Sequence, residues 1–73
     1  MIHTTVHING NPVALSTPAP PTVLDALAAA GIDPGRRGIA VAVDGEVAPR
    51  SQWAARTLPA GGRVEIVSAT QGG

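Results

Sequence analysis

The chain has 73 residues, enough for one domain, and its five arginines balance five acidic residues, so its net charge is zero. A neutral chain has no long-range attraction for nucleic acid or for an anionic membrane, and no apolar run approaches the roughly 20 residues of a membrane span. The N-terminal residues also lack the basic and apolar stretches of a signal peptide, so we expect a soluble cytoplasmic protein. With no cysteine to form a disulfide, the fold depends on an aliphatic core.

The first stretch of the chain predicts a β-hairpin. Aliphatic and polar residues alternate over residues 2–8, which is typical of a half-buried strand, and Ile2 falls on its apolar face. The Asn-Gly pair at 9–10 favours a tight turn because both residue types accept a positive φ, and a second strand can return over 13–15. Pro12 cannot donate a hydrogen bond to a neighbouring strand, so this second strand should lie at the edge of the sheet.

A single main helix is predicted after a proline-rich connection. Thr22 is a suitable N-cap, and Asp25 places an acid in the first turn, where the helix dipole favours it. An apolar stripe runs over residues 23–30, and Gly31 is placed to end the helix in the left-handed conformation. Ile32 can then fold back against the helix, as expected after a glycine-terminated helix.

The second half of the chain predicts three further strands. Residues 39–43 alternate larger aliphatic residues with alanines small enough to be buried on both faces of a sheet. The Asp-Gly pair at 44–45 favours a hairpin into a short strand over 46–48, one helical turn can follow at 51–55, and 64–67 form the last strand.

The order of these elements predicts an α+β fold. If the last strand lies beside the first, the two are parallel and the helix forms part of the crossover. We therefore expect a mixed sheet of four to five strands with one main helix across one face. The domain should cover residues 1–67, followed by a flexible C-terminal tail over 68–73.

The sequence offers no catalytic centre and no metal site. His3 and His7 share a strand face but lie about 13 Å apart, too far to bind one metal ion together. Asp44 and Glu46 flank a turn glycine, and the loop at 35–38 lacks the spacing and the lysine of a phosphate-binding loop. Neither cysteine nor lysine is available as a nucleophile. We therefore expect a protein that is not itself an enzyme.

Trp53, the sole aromatic residue, has two candidate roles. It can pack in the core, which we favour, or it can be exposed and anchor an interface with a partner. Arg50, three residues earlier, is the second candidate interface residue.

The carboxylate of Gly73 is the chemical group left unexplained. An ionised carboxylate resists nucleophilic attack until a partner activates it, for example as an acyl-adenylate. Gly72 and Gly73 have no Cβ atoms, so the end of the tail, with Thr70 and Gln71 before it, can enter a narrow channel in a partner enzyme. A frayed terminus of no function is the alternative.

Three segments resemble the ThiS family, the sulfur carriers of thiamine biosynthesis: Val41–Trp53, Gly61–Val67 and the ending Thr70–Gly73. The resemblance implies a ubiquitin-like β-grasp fold. It also implies that an E1-like (ThiF-like) enzyme uses ATP and magnesium to adenylate Gly73, and that a persulfide derived from cysteine by a desulfurase converts the adenylate to a thiocarboxylate. The sulfur would then pass to a ThiG-like thiazole synthase. The chain itself would bind no cofactor.

Three alternatives remain open from the sequence. The small subunit of molybdopterin synthase (MoaD-like) shares the fold, the diglycine ending and the thiocarboxylate, although the stretch Pro49–Trp53 favours the thiamine carrier. A ubiquitin-like modifier would instead be joined to lysines of target proteins through Gly73. A binding module would present its sheet face and never react at its terminus.

Overall fold

The computed structural model describes residues 1–69. Within this range the strands form one mixed sheet in the spatial order β2-β1-β5-β3-β4. The predicted α+β arrangement of a five-stranded sheet and one main helix is confirmed. The elements are β1 (Ile2–Ile8), β2 (Asn11–Thr17), α1 (Val23–Ala29), β3 (Ile39–Val43), β4 (Glu46–Ala48), a short 3₁₀ helix (Arg50–Gln52) and β5 (Arg63–Ser68).

β5 is the central strand of the sheet. It runs parallel to β1, with Ile8 opposite Val64, and antiparallel to β3, with Ile39 opposite Ser68. The first and last strands therefore do lie side by side, and they are parallel, as expected for that arrangement. Because Ser68 is paired, β5 extends one residue beyond the predicted domain boundary at residue 67. Residues 70–73, which contain most of the predicted tail, lie outside the described residues.

β2 lies at one edge of the sheet, as Pro12 predicts. The strand predicted over residues 13–15 was too short. The pairing of β2 with β1 begins with Asn11 opposite Ile8 and ends with Thr17 opposite Ile2. An edge strand has a free side on which a residue without an N–H group costs no hydrogen bond, so the proline does not interrupt the strand.

α1 begins and ends where the sequence predicts. The carboxylate of Asp25 accepts a hydrogen bond from the backbone N–H of Thr22 at 2.8 Å, which satisfies a donor at the helix start. At the other end Gly31 has a φ of 74°, and the N–H of Ile32 donates to the carbonyl of Leu27 at 2.9 Å. Neither helix in residues 1–69 combines the length and the apolar character needed to cross a membrane.

The hydrophobic core lies between α1 and one face of the sheet. The opposite face, which we call the open face, has no helix over it. The prediction that the β3 alanines are buried on both faces was therefore wrong: Ala40 is exposed and Ala42 is half-buried. Ile2 is also more exposed than expected. It lies at the start of β1, whereas β1 pairs with β5 only at the end of β1, at His7 and Ile8. The most completely buried side chains are Leu27, Val6, Val23, Val41, Val43 and Val64.

Leu27→Ala tests the contribution of α1 to this core. Leu27 is fully buried, so we expect a loss of about 2–5 kcal/mol in the free energy of unfolding from the lost burial and the cavity left behind. Val47→Ala is the control, because Val47 is 72% exposed and its truncation should change stability by about 0.5 kcal/mol or less. Urea unfolding measures both. Equal losses would show that α1 does not cover the core as described.

Candidate functional site

The described part of the chain ends at Ala69, just after β5 and beside the start of β3. Ser68 is paired with Ile39, and the N–H of Ala69 donates to the carbonyl of Gly38 at 2.7 Å. The chain path is thereby fixed to within four residues of Gly73. We call Ala69 and its contacts the tail root.

Gly38 permits this close approach at the tail root. Its φ is 79°, and a Cβ atom placed on it would lie 2.7 Å from the carbonyl oxygen of Ala69. A side chain at this position would meet both backbone strain and a backbone atom that cannot rotate away. The sequence indicates a loop glycine here, but the contact with Ala69 depends on strand pairing and is invisible in the local pattern.

Arg50 connects the loop before Gly38 to the 3₁₀ helix. Its guanidinium donates to the carbonyl of Pro34 and, at 2.7 Å, to the carbonyl of Arg36. The same group lies over the ring of Trp53, 4.5 Å from the ring centroid. Arg50 therefore holds the loop that leads to the tail root. Its predicted role at an interface stays a prediction.

Trp53 belongs to the core. It is 2% exposed, and its indole N–H donates to the carbonyl of Ala48 at 2.7 Å. The packing interpretation is therefore confirmed, and the interpretation of Trp53 as an exposed interface anchor is wrong. The physical reason is that the apolar indole can be buried at little cost, because its one polar atom finds an acceptor in Ala48.

Two turn residues bind the backbone of β5 through their side chains. Asn9, in the β1–β2 turn, accepts from the N–H of Ile66 at 2.8 Å and donates to its carbonyl at 3.1 Å. Asp44, in the β3–β4 turn, accepts from the N–H of Arg63 at 2.8 Å. Both residues have a φ of 50°. Asp44 thus serves turn geometry, as predicted, while the link from Asn9 to β5 was missed.

The open face carries two exposed valines, of which Val67 is close to the tail root. Val67, two residues before Ala69, is 60% exposed and lies opposite Ala40, while Val47 on β4 is 72% exposed and lies opposite Ala42. Large aliphatic side chains so exposed on one sheet face provide area for a partner to cover.

The histidines do not form a metal centre with other ligands. His3 is hydrogen-bonded through Nδ1 to the hydroxyl of Ser16 at 2.9 Å, and His7 lies opposite Arg63. In residues 1–69 no three His, Cys, Asp or Glu side chains are grouped so that they could bind a metal ion. Glu46 instead forms an ion pair with Arg56 at 2.5 Å.

Comparison with known proteins identifies the family. The ThiS family model matches residues 6–73, which is almost the whole chain. This chain belongs to the ThiS family. It is also similar to the crystal structure of the thiamine biosynthesis protein (ThiS) from Geobacter metallireducens, with a TM-score of 0.74 and 26% identity, covering 96% of this chain and 100% of that one. The ubiquitin-like β-grasp fold is thereby confirmed. No curated protein matches the chain significantly.

The ThiS match includes the four residues that the sequence assigns to a partner's channel. Thr70, Gln71, Gly72 and Gly73 lie within the matched range but outside the described residues. Their role, and that of Gly73 as the modified residue, stays a prediction. The structure supplies the path of the chain as far as Ala69.

Gly38→Ala tests the contact at the root of this ThiS tail. We expect a lower free energy of unfolding and faster hydrogen exchange at the Ala69 N–H, because the new Cβ would displace Ala69. Gly45→Ala is the matched control: its φ is 84°, but a Cβ there would meet nothing within 4 Å. Both variants carry backbone strain of about 1–2 kcal/mol. If both variants change the hydrogen-exchange rate of the Ala69 N–H equally, Gly38 has no special role in holding Ala69.

Proposed function

We propose that this chain carries sulfur as a thiocarboxylate on Gly73 for the synthesis of the thiazole ring of thiamine. The observation that carries the proposal is the ThiS family match, which continues to Gly73 and so includes the terminal Gly72-Gly73 pair. The structural similarity to a thiamine biosynthesis protein of known structure supports the same function.

The proposed chemistry begins with activation of the Gly73 carboxylate. A ThiF-like E1 enzyme, with magnesium, would catalyse attack of this carboxylate on the α-phosphate of ATP. The products would be an acyl-adenylate and pyrophosphate. A persulfide formed from cysteine by a desulfurase would then supply the sulfur that displaces AMP. Reduction of the resulting acyl disulfide by a thiol would leave the thiocarboxylate. Because ATP is the energy source, we place these steps in the cytoplasm.

The last acceptor in the proposal is a ThiG-like thiazole synthase, which would receive the sulfur and return the carboxylate. The chain itself supplies a reactive terminus and a binding surface, and the partners supply the catalytic groups. The absence of lysine and cysteine from the sequence fits this division, because the activated terminus meets no amine side chain or thiol of its own chain.

The geometry of the tail root limits where the partner can bind. Only four residues follow Ala69 up to Gly73, and fully extended they span about 13 Å. The active site of the partner must therefore lie within that distance of Ala69, so its surface must approach the adjoining part of the domain. Val67, on the open face two residues before Ala69, is the exposed apolar side chain best placed to contact it.

Mass spectrometry of the protein isolated from its native cell tests the sulfur chemistry. We expect a fraction of the C-terminal peptide to show the mass increase for replacement of one oxygen by sulfur, with the remainder as carboxylate. Covalent adducts to lysines of other proteins, or stable copurification with a molybdopterin synthase large subunit, would support the alternative functions. Persistent absence of the thiocarboxylate under sulfur-replete growth would contradict the proposal.

Gly72→Val tests the narrow channel in the adenylating partner. A branched side chain should obstruct entry of the backbone, so we expect adenylation to fall by about 100-fold, as for misplacement of a reacting group. Thr70→Val is the control, because it changes a hydroxyl to a methyl group of similar size farther from the reacting carbonyl. Thermal unfolding should be unchanged in both. Normal adenylation of Gly72→Val would rule out the channel.

A further inference from the structure

We propose that Asn9 is a positioning residue for the activation of Gly73. Its side chain holds the last part of β5 at Ile66, three residues before Ala69, and thereby helps to set the position from which residues 70–73 follow. This inference rests on the proposed function and adds to it a residue that lies far from Gly73 in the sequence.

The main-chain pairing of β1 with β5 ends early. The two strands are in register at His7–Arg63 and Ile8–Val64, after which β1 turns away into β2. The backbone N–H of Asn9 still donates to the carbonyl of Val64 at 2.9 Å. Beyond that point, in residues 1–69, strand pairing of β5 comes from β3 alone.

The side chain of Asn9 continues the pairing where the backbone of β1 stops. Its amide oxygen accepts from the N–H of Ile66 at 2.8 Å, and its amide nitrogen donates to the carbonyl of the same residue at 3.1 Å. One side chain thus exchanges two hydrogen bonds with a single residue, as the partner residue of an antiparallel hydrogen-bonded pair does. A carboxamide suits this task because it carries a donor and an acceptor side by side.

The backbone conformation of Asn9 makes this arrangement possible. Its φ of 50° turns the chain into the hairpin, and asparagine accepts the left-handed region better than most residues. The residue therefore performs two functions: its backbone forms the turn, and its amide reaches a strand 57 positions later.

The position of Ile66 explains why this contact bears on the tail. Ile66 is 7% exposed and lies opposite Val41, so its side chain is fixed in the core while Asn9 holds its backbone. Three residues later, Ala69 is held on the other side by Gly38. The end of β5 is therefore held from both neighbouring elements. Only four residues lie between Ala69 and the end of the chain at Gly73. If the end of β5 were displaced by a long distance, these four residues could not bring the Gly73 carboxylate back into place.

Asn9→Gly removes the side chain and keeps the turn, since glycine also accepts a positive φ. Asp44→Gly is the matched control. Asp44 also has a φ of 50°, also precedes a glycine and also binds a β5 amide, but it does so at Arg63, the end of β5 away from the tail. Both variants lose a side-chain link to β5, and only Asn9→Gly loses it near the tail root.

Hydrogen exchange and enzyme kinetics give the two readouts. We expect faster exchange of the Ile66 N–H in Asn9→Gly and of the Arg63 N–H in Asp44→Gly. With the ThiF-like enzyme of the same organism and ATP, Asn9→Gly should lower kcat for adenylation by about tenfold and leave KM within about twofold, because the open face still binds but the carboxylate is presented in poorer geometry. Asp44→Gly should leave both constants within about twofold of the unsubstituted chain.

The outcomes separate this inference from the proposed function. If the unsubstituted chain is adenylated and the two variants have equal kcat values, Asn9 is an ordinary turn residue and the inference is wrong. A rise in KM with unchanged kcat would also overturn it, because Asn9 would then contribute to binding. If the unsubstituted chain is not adenylated at all, the proposed function fails, and the positioning role fails with it.

Discussion

The central place of β5 is the constraint on which the rest of the structure depends. β5 must contribute to the core, through Val64 and Ile66, and must also lead the chain to the terminus that we propose is chemically modified. β3 pairs with β5 as far as Ser68. On the other side β1 pairs with β5 only as far as Val64, beyond which the side chain of Asn9 binds Ile66. The strands that stabilise the fold therefore also set the position of Ala69, the last described residue before the end that we propose is modified.

This arrangement divides the domain into two faces with different tasks. The face under α1 forms the core, and the long connection between β4 and β5 is fastened to it by Trp53 and Leu58, both buried. The N–H of Leu58 also donates to the carbonyl of Pro21, next to the start of α1, at 2.8 Å. The open face is thereby left free beside the tail root. Under the proposed function, this exposed face is available to the partner enzymes.

Most of the features that the sequence predicted correctly are local. The start of α1 after the N-cap Thr22, with Asp25 in its first turn, and its end at Gly31 depend on residues a few positions apart, and so do the two hairpin turns. The parallel pairing of β1 and β5 followed from topology, since one helix in a crossover allows few arrangements. The β3 alanines were misjudged because a short apolar run does not show whether a second layer covers the sheet.

The contacts that hold the end of β5 and the loop before Gly38 could not be predicted from the sequence. The hydrogen bonds from Asn9 to Ile66 join residues 57 positions apart, and those of Arg50 reach carbonyls of a loop 14 and 16 positions away. The Asn-Gly pair is fully explained by its turn, so nothing in the local pattern indicates a second role for the amide. Register decides which side chain meets which backbone group, and register appears only once the whole sheet is assembled.

The most direct test of the account is ATP–pyrophosphate exchange by the ThiF-like enzyme of the same organism, which reports reversible formation of the adenylate. The account predicts exchange with the chain that ends at Gly73 and none with a chain from which Gly73 alone is deleted, while both unfold at the same temperature. Equal exchange rates with the two chains would contradict it.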